Sequence, residues 1–271
     1  MADETLAGRE SAAVLEVALA AAAAAGELLL ESFGHLQASQ IRSKSAARDL
    51  VTEADLASER LLVGCLREAF PEHRIESEEE VRDAPDDGDA PRWFLDPLDG
   101  TVNFVHGLPI FAVSMGLMQG GVPEVAVVHL PRLGETFSAV RGGGAWLNGR
   151  PIHVSQTKEL GQAVLATGFP YRRGELKHSN LENFNRFFYD LRGVRRMGAA
   201  AVDLAFVAAG RLDGFWELHL SPHDVAAGAL LVREAGGVVT DADGGEDWLR
   251  GGHLVAAGPA LQPQIRARVE H

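Results

Sequence analysis

Apolar positions recur at helical spacing twice in the first part of the chain. Ala12 to Phe33 is nearly continuous in Ala, Leu and Val, and Gly34 follows it as a residue suited to cap a helix end. Further on, Ala57, Leu61, Leu62, Cys65, Leu66, Ala69 and Phe70 repeat at three- and four-residue intervals. Thr52 precedes that run as an N-cap, Asp55 stands three residues on, and Pro71 ends it. Between these helices, residues 35–48 are polar and read as a loop or arm. Residues 82–92 are rich in Asp, Gly and Pro and read as an exposed loop.

The pattern then changes. Trp93-Phe94-Leu95 is a short apolar run that reads as a buried strand ending at Asp96, with Pro97 stopping it. Residues 110–118, 122–130, 135–140 and 151–155 read as strands. Gly120-Gly121, Gly142 to Gly144 and Asn148-Gly149 supply turns, so this region is expected to be an antiparallel meander. The remainder alternates. Helices are expected over 181–191, 199–209 and 221–235, the last with Ser221 as N-cap and Pro222 at its first position. Strands are expected over 215–218, 238–240 and 254–257, with a final helix. The whole predicts a layered α+β fold, an α-β-α-β-α sandwich with two mixed or antiparallel sheets. It is expected to divide into an N-terminal α+β lobe (1–150) and a C-terminal α/β lobe (151–271) that contributes Glu217 and Asp224.

Composition narrows the chemistry. The chain has 271 residues, 46% of them apolar, enough for a large core. Its formal net charge is −13, and the dense basic runs are short (Arg172-Arg173 and Arg192 to Arg196), so no nucleic-acid partner is expected. An acidic protein repels anions, and a phosphate site here would need metal cations or a nest of backbone N–H groups. One cysteine, Cys65, permits no intrachain disulfide, which fits a reducing cytoplasm. The start Met-Ala-Asp-Glu is acidic and Glu16 and Glu27 interrupt the apolar run, so a helix packed on the body is expected rather than a membrane span.

The acids are concentrated at strand ends and helix starts, where sites form in layered α/β proteins. Asp49 and Asp55 bracket one helix start, Glu217 ends a strand, and Asp224 lies in the first turn of the next helix. In Asp96-Pro97-Leu98-Asp99-Gly100-Thr101, two acids three residues apart follow an apolar strand. Burying both as anions is costly, and a hard divalent cation such as Mg²⁺ removes that cost by taking carboxylate oxygens. Gly100 lets the chain turn, and Thr101 opens a short helix whose free N–H groups suit phosphate. Other acids have plainer readings: Asp224 as a partner of the helix dipole, and Glu76 to Glu80 as a solvated edge.

Taken together, these segments resemble the inositol monophosphatase family. The likeness runs through Asp49-Leu50-Val51-Thr52-Glu53-Ala54-Asp55, Ser77-Glu78-Glu79 and Trp93 to Phe104. It continues through Gly198 to Ala201, Trp216-Glu217, Asp224 to Gly228 and Glu234 to Gly237. The resemblance implies a magnesium-dependent, lithium-inhibited phosphatase using two or three Mg²⁺ ions. It implies that Glu78, Asp96 and the Leu98 carbonyl hold one ion, that Asp96, Asp99 and Asp224 hold a second, and that Glu78 helps a weaker third. It implies that Thr101, supported by Asp49, orients the attacking water, that Gly100 and Thr101 N–H groups cradle phosphate, and that Glu217 binds substrate hydroxyls beside Gly198, Ala199 and Ala200. A small phosphorylated polyol is the implied substrate and a homodimer the implied assembly. Many relatives have Trp where His223 stands and Ser or Thr where Ala199 stands, which removes a hydroxyl from the substrate side. Inositol 1-phosphate is the expected substrate; fructose 1,6-bisphosphate, histidinol phosphate, phosphoadenosine phosphate and a regulatory binding role are the alternatives.

Overall fold

The computed structural model describes residues 2–44, 49–84 and 90–271, with side chains from Ser11 onward; parts of the two expected loops (45–48 and 85–89) lie outside the described residues. In chain order the elements are α1 (Ala2–Ser32), β1 (Ile41–Ser43), β2 (Leu50–Thr52), α2 (Glu53–Ala69), β3 (Arg74–Ser77), β4 (Arg92–Asp99) and α3 (Thr101–Val105). The meander follows as β5 (Ala112–Gln119), β6 (Val122–Leu130), β7 (Glu135–Val140), β8 (Ala145–Leu147) and β9 (Arg150–Ile152). Then come β10 (Val164–Thr167), α4 (Leu181–Phe188), β11 (Gly193–Arg195), α5 (Ala200–Ala208) and β12 (Gly214–Leu218). The chain finishes with α6 (Pro222–Glu234), β13 (Val238–Thr240), β14 (His253–Ala257) and α7 (Gln262–Arg266).

Two mixed sheets result. The first has strand order β3-β4-β5-β6-β7-β8-β9, parallel between β3 and β4 and antiparallel elsewhere. The second has order β11-β10-β12-β14-β13, with its first three strands parallel. Strand alternation assigns the layers. Trp93, Leu95, Val113 and Met115 face α1 and α2, whereas Phe94, Ala126, Val128 and Phe137 face α5 and α6. On the second sheet, Phe215 and Ala256 share that middle core, while Trp216 and Val255 pack with Phe187 of α4 and Ile265 of α7. The order α-β-α-β-α is as expected.

The middle layer is tight because its residues are small. A Cβ at Gly116 of β5 would come 2.7 Å from Ala226, and one at Gly228 of α6 would come 2.5 Å from Leu204 of α5. α6 is thereby pressed onto the first sheet and against α5, which brings Asp224 near the end of β4.

α1 begins earlier than the sequence pattern suggests. Its segment Ser11–Ser32 is long and apolar enough to cross a membrane by composition alone. Val14, Ala18, Ala22, Ala25 and Leu29 are nevertheless buried in the core against the first sheet. β1, β2, β3, β8, β10 and β11 were not expected. β1 and β2 pair only with each other, and all six are three or four residues long, too short for a sequence pattern to carry. β10 is a parallel strand buried on both faces, so it reads as a plain apolar run.

Candidate active site

The site grows from the end of β4. The β4–β5 pairing shifts register between Asp96 and Asp99, so Asp96 lies opposite Ser114 and Asp99 opposite Ala112. The Leu98 N–H donates to Asp96 Oδ1 at 3.0 Å, and Ser58 Oγ donates to the Pro97 carbonyl at 2.9 Å. Gly100 then turns with φ of 91°. A Cβ there would meet the Ile110 carbonyl oxygen at 2.9 Å and Ala199 Cβ at 3.2 Å, so both conformation and space demand glycine.

Thr101, the first residue of α3, is buried, and its hydroxyl donates towards Asp55 Oδ1 (3.0 Å) and the Leu98 carbonyl (3.1 Å). Asp55 is thus the carboxylate that the Thr101 hydroxyl meets, while Asp49, expected to support Thr101, stands on the cavity wall. Asp55 does two things at once. Its Oδ2 accepts from Thr52 N (2.9 Å) and Thr52 Oγ1 (2.5 Å), closing a capping box that contributes about 1 kcal/mol to α2. Its Oδ1 stays aimed at Thr101. Burial pushes the Asp55 carboxyl up to about 6, against the pull of its Thr52 and Thr101 hydrogen bonds.

Glu78 follows directly on β3. Its segment is anchored by Glu59 of α2, which accepts from the N–H groups of Glu79 and Glu80 at 3.1–3.2 Å. Lys44 Nζ bridges Glu78 Oε1 (2.8 Å) and Glu79 Oε1 (2.6 Å). Burial opposes the charge on Lys44, yet those two carboxylates raise its ammonium above the usual range. Burial alone would raise Glu78, but the nearby charges of His223 and Lys44 hold it below its ordinary value.

The second half of the chain closes the site. Asp99 Oδ2 accepts from Ala201 N (2.8 Å) and Val202 N (3.4 Å), taking up free donors in the first turn of α5. Asp224 accepts from Ser221 N at 2.6 Å in the capping box of α6, and His223 Nε2 stands 3.9 Å from Asp224 Oδ1. A cavity of about 290 Å³ opens between these elements. Asp49, Glu78, Asp99, Gly198, Ala199, Ala200, Glu217 and Asp224 line it, while Asp96, Leu98, Gly100 and Thr101 are buried beside it and do not.

Four acids from three elements are thus crowded in low dielectric. Burial, then the charges of Glu78, Asp99 and Asp224, push Asp96 well above the carboxylate range. Asp99 is driven up to about 8 by burial and by Asp224, and Asp224 is raised by its own burial. Among the described residues, no three Asp, Glu, His or Cys side chains already converge on a single metal position. The donor set nevertheless suits a hard cation: it is all oxygen, and it carries more negative charge than Lys44 offsets.

Three residues in or beside this cavity escaped sequence reasoning. Lys44 was read only as part of a polar loop, and Asp55 only as a helix cap. Asp203 also lines the cavity, although it sits in α5, every residue of which is buried. A lone acid in an otherwise apolar helix was the available signal.

The sequence model of the inositol monophosphatase family matches residues 10–271. The Nus factor SuhB of Pseudomonas aeruginosa is 48% identical over 248 residues, 90% of each chain. The Nus factor SuhB of Escherichia coli is 42% identical over 256 residues, covering 94% of this chain and 95% of that one. Among solved structures, the extragenic suppressor protein suhB from Bartonella henselae superposes with a TM-score of 0.88 at 40% identity, over 94% of this chain and 98% of the other. An inositol monophosphatase from Anabaena gives 0.84 at 39% identity, over 94% of each.

Proposed function

The chain belongs to the inositol monophosphatase family, and on that premise we propose that it is a Mg²⁺-dependent phosphatase for a small polyol phosphate, inositol 1-phosphate foremost. The observation that carries the reading is that Glu78, Asp99 and Asp224 line one cavity, with Asp96 buried among them and the Thr101–Asp55 hydrogen bond beside it.

Glu78, Asp96, Asp99, Asp224 and the Leu98 carbonyl would hold the Mg²⁺ ions. When bound, the ions neutralise charge on the phosphate oxygens and lower the pKa of a water. The protein's own groups do the positioning. The Thr101 hydroxyl points its proton at Asp55 and so leaves its oxygen to accept a hydrogen bond from the attacking water. Asp55, at about 6, is ionised at neutral pH and basic enough to share that proton. The N–H groups of Gly100 and Thr101 take phosphate oxygens, and Glu217 takes hydroxyls of the leaving alcohol.

The test is phosphate release from inositol 1-phosphate, fructose 1,6-bisphosphate, histidinol phosphate and phosphoadenosine phosphate, with and without Mg²⁺. Metal-dependent release led by inositol 1-phosphate is expected. Release led by another member overturns the substrate, and release without added metal overturns the chemistry.

A second reading comes from the relatives called Nus factors. In it, the folded chain also binds a protein of the transcription machinery, independently of turnover. An Asp96→Asn variant that still retains such a partner in a pull-down would support it, and loss of the partner together with activity would count against it.

A further inference from the structure

Glu217 does not face the cavity alone. Asp203 of α5 lines the same space, is 1% exposed, and its Oδ1 has no hydrogen-bond partner. Its place in the first turn of a helix would ordinarily explain an acid, but here the Ala201 and Val202 N–H groups are given to Asp99. Nothing in α5 accounts for the cost of keeping this acceptor dry.

Glu217 is held in a matching way. A Cβ on residue 168 would fall 2.1 Å from both of its carboxylate oxygens, so Glu217 lies directly over the Gly168 backbone. That backbone is fixed in turn: Asn180 Nδ2 donates to the Gly168 carbonyl at 2.6 Å and to Thr167 Oγ1 at 2.9 Å. Space, not an unusual φ, keeps residue 168 a glycine.

We propose that Asp203 is a second substrate-binding carboxyl group which, with Glu217 seated on Gly168, receives hydroxyls of the polyol. This inference rests on the reading of the cavity as a polyol phosphate site. Two carboxyls could instead take an ammonium group, but the wall argues otherwise. Arg196 also lines the cavity, and its charge offsets those of both acids. Burial, reinforced by the neighbouring acids, pushes Asp203 well above the usual range and Glu217 to about 8. Carboxyl oxygens beside a guanidinium offer acceptors and donors together, which is what neutral hydroxyls require.

The experiment compares inositol 1-phosphate, histidinol phosphate and p-nitrophenyl phosphate as substrates of the wild type, Asp203→Asn and Gly168→Ala. Asp203→Asn is nearly isosteric, and its melting temperature and half-saturating Mg²⁺ concentration should match wild type. It is expected to raise KM for inositol 1-phosphate about tenfold, with a much smaller change in kcat and for the hydroxyl-free aryl ester. Gly168→Ala, which displaces Glu217, should give the same split. Equal loss on inositol and aryl substrates, or no change on either, overturns the inference. A greater loss on histidinol phosphate overturns the assignment to hydroxyls. A wild type that shows no preference for the polyol ester refutes the proposed function itself and this inference with it.

Discussion

The cavity is walled by carboxyl groups on two sides, and the two sides are held differently. Around β4 and the starts of α2 and α6 each acid has a partner: Asp55 has Thr52 and Thr101, Glu78 has Lys44, Asp96 has the Leu98 N–H, and Asp224 has the Ser221 N–H. On the α5–β12 side, Asp203 Oδ1 has none and Glu217 rests over a bare glycine. Partnered acids are fixed in position whatever occupies the cavity, which is what charge neutralisation and water orientation need. Unpartnered ones are satisfied only by what enters. The first side is therefore suited to the chemistry common to all phosphate esters, and the second to choosing among them.

The largest break in this comparison is Asp96→Asn. Replacing the acid at the centre of the β4 group should lower kcat by roughly 10³-fold on every substrate, while circular dichroism shows a retained fold. Near-wild-type turnover in saturating Mg²⁺ would remove Asp96 from the site. The next separates two neighbouring acids. Asp55→Asn should cost about 100-fold in kcat because Thr101 loses its basic partner, and Asp49→Asn should cost far less. The reverse order would return the supporting role to Asp49.

A smaller effect sharpens the electrostatic side. Asp99 and Glu217 are raised to about 8 in the folded protein, so between roughly pH 4 and 8 the folded state holds more protons than the unfolded one. Their contribution to stability is fullest at the acid end and is lost as pH rises through 8. Metal-free protein should accordingly melt lower at pH 8 than at pH 5.5, and added Mg²⁺ should raise the melting temperature more at pH 8. Equal Mg²⁺ gains at both pH values would show that Asp99 does not bind the metal in place of a proton.

Much of this division was legible in the sequence, and its failures have physical causes. Asp96 to Thr101 stood out because two acids after a buried strand have no plain explanation. Asp55 was hidden because its capping role explained it completely, and only the fold shows that its second oxygen turns to Thr101. Asp203 was masked by the apolar run around it. Gly168 carries no signal, since the constraint on it comes from a side chain on a different strand. The five layers could be read from the longer elements, whereas β10 and β11 are defined by pairing partners rather than by any pattern of their own.

The claim that one side does the chemistry and the other selects the substrate is tested most directly by a ratio: kcat/KM for inositol 1-phosphate over that for p-nitrophenyl phosphate, measured in Thr101→Val and in Glu217→Gln. The account predicts that Thr101→Val lowers both terms and leaves the ratio near wild type, while Glu217→Gln lowers the ratio about tenfold. A ratio that falls equally in both variants, or that Glu217→Gln leaves unchanged, would contradict it.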